Sequence, residues 1–400
     1  GGINLAWGIL YTWSVISKGI PDSWNWGEAD RSWPYAAACL VFCLVMIPAG
    51  RMQDKLGPRL VATIGGLLVG AGLIFCSFFT SMLGFIIGFG ILAGSGIGFG
   101  YASATPPAVK WFPPKKTGMI AGIVVSGFGL ASVYAAPLSK WLIATYGVQM
   151  TVRILGIAFL IVVVGLAQML KPPHKMYQFV KGTGPIGAAK QDLLKPPAPR
   201  ADFTPREVLA SPVFYVLWLI YACGAGAGLM IIAKLAMIAK VQAGLELGFV
   251  LVAMLAIGNG GGRILAGMLS DKLGRKQTLF GCLAIQALVV FVLSRAVQGS
   301  VLATPAVMIV ISMLVGANYG ANLALFPSIT SDFYGRKNFG VNYGLVFTAW
   351  GVGGFMLALL AGKIYDATKS FNVAYYGASI LLILAAVLVL AVRPPKPLAE

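Results

Sequence analysis

The stretch Leu251–Lys276, LVAMLAIGNGGGRILAGMLSDKLGRK, decides the fold. Up to Leu269 its only charged residue is Arg263. A guanidinium in a membrane-length apolar segment costs about 2.5–3.5 kcal/mol on insertion scales unless it faces a partner or a wet cavity. Beyond Leu269 the chain turns polar and basic within a few residues, as a short loop between two apolar runs does. The first question is therefore whether the whole chain is built of such runs.

It is. Hydrophobic residues are 58% of the 400 residues and charged residues 10%, against about half and about a quarter in soluble domains. The runs are long enough to cross a hydrocarbon layer, which takes about 20 helical residues. They fall near 3–20, 33–51, 60–80, 83–107, 117–140 and 151–170, and after a break near 211–240, 245–269, 277–297, 303–328, 339–362 and 371–392. This predicts an all-α membrane protein of twelve transmembrane helices. The first run is short and opens without a start methionine, so residues are expected to precede it. No small-residue cleavage site follows it, which argues against a signal peptide.

The formal charge of +18 would suggest a nucleic-acid partner in a soluble protein. Here the positive-inside rule accounts for it and no nucleic acid is expected. With both termini placed in the cytoplasm, 20 of the 30 Lys/Arg fall in cytosolic segments, among them Arg51, Lys110, Lys115, Lys116, Arg336, Lys337, Arg393 and Lys396. The opposite loops are short and poor in base, and the first carries Asp22, Glu28 and Asp30. All five cysteines (Cys39, Cys43, Cys76, Cys223, Cys282) lie inside apolar runs and read as small packing residues. No metal or haem spacing occurs, and no cofactor is expected.

One long hydrophilic stretch, 172–210, separates six runs from six. Its Pro, Gly and Lys content suits a linker or an amphipathic surface piece. The lone His174 within it reads as solvated. The division predicts an N-terminal bundle over 1–171 and a C-terminal bundle over 211–400. The two echo each other: GRMQDKLGPR (Gly50–Arg59) follows the second run and GMLSDKLGRK (Gly267–Lys276) follows the eighth. Tyr101 with Pro106, Pro107, Trp111, Phe112 and Pro113 in the fourth run is matched by Tyr319 with Pro327, Phe333 and Tyr334 in the tenth. Such repeats mark transporters that rock two halves about a midplane site. In the loop motif, the first glycine lets a helix end pack closely. Asp54 and Asp271 are suited to accept bonds from exposed helix-terminal N–H groups or from Arg59 and Arg275, forming a cytosolic gate.

The intramembrane polar inventory is small. Arg263 is deep; Lys234 lies within the seventh run; Arg153 and Lys363 sit near helix ends where long stems can snorkel. No Asp or Glu is placed as a counter-ion. An unpaired guanidinium with a planar fork of donors suits a carboxylate ligand. Asn259, one turn away, offers a donor and an acceptor on the same face. The glycines at 258 and 260–262 either open a cavity or admit a neighbouring helix. Leu10, Tyr11, Tyr101, Tyr319 and Trp350 are candidate walls.

The segments N-G-G-x-R-x-x-x-G-x-x-S-D-K-L-G-R (Asn259–Arg275), A-L-F-P-S-x-x-S-D (Ala324–Asp332) and N-Y-G (Asn342–Gly344) resemble the oxalate/formate antiporters. With Y-T-W-S (Tyr11–Ser14) and Arg263, the chain also resembles the related monocarboxylate transporters of the major facilitator superfamily, bacterial lactate and pyruvate carriers above all. The resemblance spans essentially the whole chain. It implies two six-helix pseudo-symmetric bundles, alternating access, an inner-membrane location and a substrate carboxylate held by Arg263. It also shows departures. Trp350 stands where oxalate carriers have a second cation, Leu10 replaces a polar residue, and Leu323 replaces an aromatic. One cation in an apolar wall suits a monocarboxylate, since a dianion would leave a charge unpaired in low dielectric. Asn259 and Val15 stand where animal monocarboxylate transporters carry an aspartate and a lysine. The expected activity is monocarboxylate transport with a proton moving alongside the substrate, the alternative being anion exchange of the oxalate/formate type. A receptor or scaffold would carry a sizeable soluble domain, and no nucleophile–base or metal constellation points to an enzyme.

Overall fold

The computed structural model describes residues 2–112, 116–171 and 202–395. Pro113, Lys115, Lys396 and residues 172–201 of the expected linker, His174 included, lie outside the described residues. Regular structure among the described residues is helical throughout.

Among the described residues, ten helices are long and apolar enough to cross a membrane. One of them, Thr117–Gln168, is two spans, because Gly147 (φ 76°, ψ 173°) interrupts it. Glycine tolerates positive φ without a Cβ clash, so a single residue serves as the loop. The fifth and sixth spans are thus 117–146 and 148–168, and the gap predicted over 141–150 is helix on both sides of that glycine. The first span is broken into Gly2–Trp7, a 3-10 stretch Gly8–Thr12, and Trp13–Lys18. With these two additions the spans among the described residues number twelve. The others are Glu28–Leu56, Pro58–Cys76, Met82–Trp111, Pro212–Gln242, Gly248–Leu273, Arg275–Leu293, Pro305–Tyr334, Phe339–Thr368 and Asn372–Ala391.

Local chemistry explains several boundaries. Pro58, Pro212 and Pro305 occupy first helical turns, where a missing N–H costs nothing. The second glycine of each G-x-x-x-D-K-L-G motif ends its helix at positive φ, Gly57 at 85° and Gly274 at 101°. At the end of the expected linker, Thr204 and Glu207 form a reciprocal capping box on the short helix Pro205–Ala210. The Thr204 backbone N–H holds the Glu207 carboxyl below its ordinary range.

Packing repeats at an offset of six spans. First with fifth, second with fourth, and third with sixth recur as seventh with eleventh, eighth with tenth, and ninth with twelfth. Two further pairs, second with eleventh and eighth with fifth, join the bundles. Exposed apolar side chains such as Leu265 (69%) and Ile161 (65%) coat the outside, the surface a bilayer would cover. Arg153 donates from Nε to Ser77 Oγ at 3.1 Å beside Phe78, near a helix end. Lys363 is exposed and Lys234 half-buried.

Candidate functional site

The eighth span carries Arg263 to the seam between the bundles, where its side chain is fully buried. The surrounding glycines make this approach possible by packing closely, so of the two predicted readings the second holds for three of the four. A Cβ on Gly258 would collide with the Met313 carbonyl oxygen, and one on Gly262 with that of Ala317, both on the tenth span. A Cβ on Gly260 would meet Leu130 of the fifth, and only Gly261 faces open space.

Arg263 Nε donates to Asn259 Oδ1 at 3.0 Å, one turn back along the same helix. Nη1 donates across the seam to the main-chain carbonyl of Val125 in the fifth span. The guanidinium lies 6.0 Å from the centre of the Phe128 ring. Nη2 is buried without a partner. No carboxylate pairs with Arg263 among the described residues. A buried charge satisfied only by dipoles and a ring face retains a strong attraction for an anion.

Of the predicted walls, Tyr11, Tyr101, Tyr319 and Trp350 converge here. Trp350 Nε1 donates to the Tyr319 hydroxyl at 2.9 Å, which lies 3.0 Å from the Tyr11 hydroxyl. This chain links the eleventh, tenth and first spans and so crosses between bundles. Tyr11 packs edge-on against Phe128 at 5.2 Å. Tyr101 meets Phe42, Phe128 and Phe347 at 5.3–5.5 Å, and Phe347 stacks on Trp350 at 5.2 Å. Leu10 is fully buried and Leu323 nearly so. Sequence reasoning missed Val125, whose contribution is a backbone carbonyl, and the phenylalanines 42, 128 and 347, which look like lipid-facing residues in an apolar run. It also missed Tyr221 and Tyr343, whose buried hydroxyls lack hydrogen-bond partners.

A second polar cluster lies at the helix ends on the loop side bearing the two D-K-L-G motifs. Asp271 accepts from the backbone N–H groups of Gly118 (3.0 Å) and Met119 (2.8 Å) at the start of the fifth span. Arg275 Nη1 holds Asp271 at 2.6 Å, and its Nε reaches Asp332 at 3.0 Å. Asp54 accepts from Val341 N at 3.1 Å at the start of the eleventh span. Its cationic partner is Lys110, at 2.9 Å. Arg59, the expected partner, is exposed. The correction has a simple cause: Pro58 stands where Arg275 stands in the second motif, so Arg59 falls one residue further around the next helix. The first glycine of each motif packs as predicted, across the seam: a Cβ on Gly50 would collide with the Gly340 carbonyl oxygen, and one on Gly267 with that of Gly118.

Comparison with known proteins follows the same lines. The family model described as Major Facilitator Superfamily matches residues 3–298 and 238–400. The oxalate:formate antiporter of Oxalobacter formigenes is 29% identical over 352 residues, covering 86% of this chain and 77% of its own. Monocarboxylate transporter 11 of Homo sapiens is 24% identical over 386 residues, covering 93% and 76%. Among solved structures, a variant of the fucose:proton symporter of Escherichia coli superposes with a TM-score of 0.68 over 98% of both chains, at 15% identity, which is a likeness of fold.

Proposed function

The chain belongs to the major facilitator superfamily, and on that premise we propose that it carries small monocarboxylates of the lactate and pyruvate kind by alternating access, with a proton moving alongside. The carrying observation is Arg263: one buried cation with an unpartnered Nη2 donor and no acidic partner among the described residues, beside apolar and aromatic walls. A single carboxylate neutralises that charge, with Arg263 and Asn259 as its polar contacts and Leu10, Tyr11, Tyr101, Tyr319 and Trp350 as the walls. Trp350 is what favours a monocarboxylate over a dianion, because an indole N–H engaged with Tyr319 supplies no second positive charge.

In this reading residues 1–171 and 211–400 are the two rocking bodies, joined by a linker over 172–210. The basic loop side faces the cytoplasm, with both termini, in the cell inner membrane. Asp54 with Lys110, and Asp271 with Arg275, form the cytosolic gate.

The purified carrier in proteoliposomes tests the proposal. An inwardly directed proton gradient should drive labelled lactate or pyruvate uptake, and a binding panel of two- to four-carbon acids should rank monocarboxylates first. Oxalate outranking lactate, with label accumulating only in preloaded vesicles, favours the second reading, a carboxylate exchanger. The 29% identity to the oxalate:formate antiporter speaks for that alternative.

A further inference from the structure

The tyrosines near Arg263 divide into two sets. Tyr11 and Tyr319 have their hydroxyls within hydrogen-bond distance of each other, and Trp350 donates to the second. Tyr101, Tyr221 and Tyr343 are fully buried, and none of their hydroxyl oxygens has a hydrogen-bond partner. These three come from the fourth, seventh and eleventh spans and border one ring, Phe347, at centroid distances of 5.3, 6.2 and 5.7 Å. The Tyr343 hydroxyl adjoins those of Tyr101 and Tyr221 without bonding to either, and Tyr101 and Tyr221 lie within the field of Arg263.

A buried hydroxyl left without a partner costs about 1–3 kcal/mol. Phenylalanine would place the same ring at each position without that cost. Tyr221 makes the contrast plain, because its stacking on Phe326 at 3.9 Å needs only the ring. Three such costs around one ring mark a polar group that the cage receives from outside. Phenols offer donors, so that group is an oxygen acceptor. The carboxylate itself belongs with Arg263, whose Nη2 holds a free charged donor. Phe128 touches both poles: the guanidinium lies 6.0 Å from its centre, and Tyr101 meets it edge-on at 5.5 Å. The trio therefore stands about one ring away from the guanidinium. An oxygen on the second carbon of an acid lies beside the carboxylate and shares Arg263 and Asn259. Only an oxygen further out reaches the trio.

We propose that Tyr101, Tyr221 and Tyr343 form a second polar pole of the substrate site, which takes a carbonyl or hydroxyl oxygen on the third or fourth carbon of the acid whose carboxylate Arg263 holds. This rests on the carboxylate-carrier reading above and deepens it by naming the substrate class, short acids with an oxygen remote from the carboxylate. Tyr221 and Tyr343 become specificity-determining residues, through their hydroxyls and not their rings.

The test is a cycle between hydroxyl and ligand oxygen. Isothermal titration of the purified carrier compares 3-oxobutanoate and 3-hydroxybutanoate with butanoate, an acid of the same length that lacks the remote oxygen. The wild-type protein should bind the oxygenated acids about tenfold tighter than butanoate, the worth of one buried hydrogen bond. Tyr221→Phe and Tyr343→Phe keep the rings and delete one hydroxyl each. Either should weaken the oxygenated acids by about tenfold and leave butanoate unchanged, so that the preference collapses. A wild-type protein without the preference overturns the inference. So do an equal loss for all three acids and a preference that survives in both variants, the result expected of hydroxyls that hold only water. Butanoate binding that disappears in Arg263→Ala upholds the carboxylate reading even where the trio fails, whereas a wild-type protein that binds none of these acids sinks both. Retained butanoate binding in the two phenylalanine variants shows that they are folded.

Discussion

Asp271 of the eighth span caps the fifth span: its two carboxylate oxygens accept the backbone N–H groups of Gly118 and Met119. Asp54 does the same for Val341 at the start of the eleventh span. Each bundle thus reaches across and neutralises the positive helix end of the other, a favourable site for a carboxylate. These contacts require the two bundles to be apposed on the loop side that bears the two D-K-L-G motifs.

Removing one charge should open that side. Asp271→Asn keeps the shape but loses the ion pair with Arg275 and the charge–dipole attraction. The closed-to-open ratio should fall by roughly tenfold. Spin labels at the exposed positions Lys55 and Lys337 should report a longer distance population. An unchanged distribution in this variant denies the carboxylate a gating role.

Lys110→Ala and Asp54→Asn break the same ion pair and should slow transport alike, whereas Arg59→Ala should leave transport near the wild-type level. The reason is geometric: Lys110 sits 2.9 Å from Asp54 while Arg59 is exposed. Initial uptake rates of the three variants, normalised to reconstituted protein, check the ordering.

Arg263→Lys retains a positive charge but not the fork. An ammonium on a flexible stem holds a carboxylate as a point charge. Affinity for the carried acid should fall by about tenfold to a hundredfold, the loss of one charged hydrogen bond. Isothermal titration or thermal shift with the best acid of the panel measures it; undiminished affinity removes Arg263 from the site.

Trp350→Lys should move selectivity toward dianions. It deletes the indole bond to Tyr319 and adds a second cation to the same cluster. Oxalate binding should rise relative to lactate by at least about tenfold. A panel ranking identical to wild type separates position 350 from substrate choice.

Phe203→Ala should loosen the linker from the C-terminal bundle. Phe203 is buried edge-on against Tyr334 at 5.6 Å, and its carbonyl accepts from Asn338 and Asn342, both at 3.0 Å. Asp202 alongside accepts the N–H groups of Arg336 and Lys337. Burying a phenylalanine side chain typically contributes about 3–5 kcal/mol against alanine. The variant should lose several degrees of Tm and become easier to cleave by protease near the linker's end.

The sequence by itself determined the membrane class, the twelve spans, the repeat and the anomalous arginine. All of these are properties of neighbours along the chain: run length, charge placement, and a motif written twice. It also supplied Asn259, Tyr11, Tyr101, Tyr319 and Trp350, but not Phe128, because a phenylalanine in an apolar run looks like any lipid-facing residue. Tertiary structure alone decided the pairings. That Lys110 and not Arg59 meets Asp54 follows from a proline's place in a loop and from which helix end lies nearby. That Gly147 ends the fifth span in one residue follows from a positive φ invisible in composition. That the Val125 carbonyl receives Arg263 could not be read from residue type, since every residue has such a carbonyl and only the approach of two helices selects one.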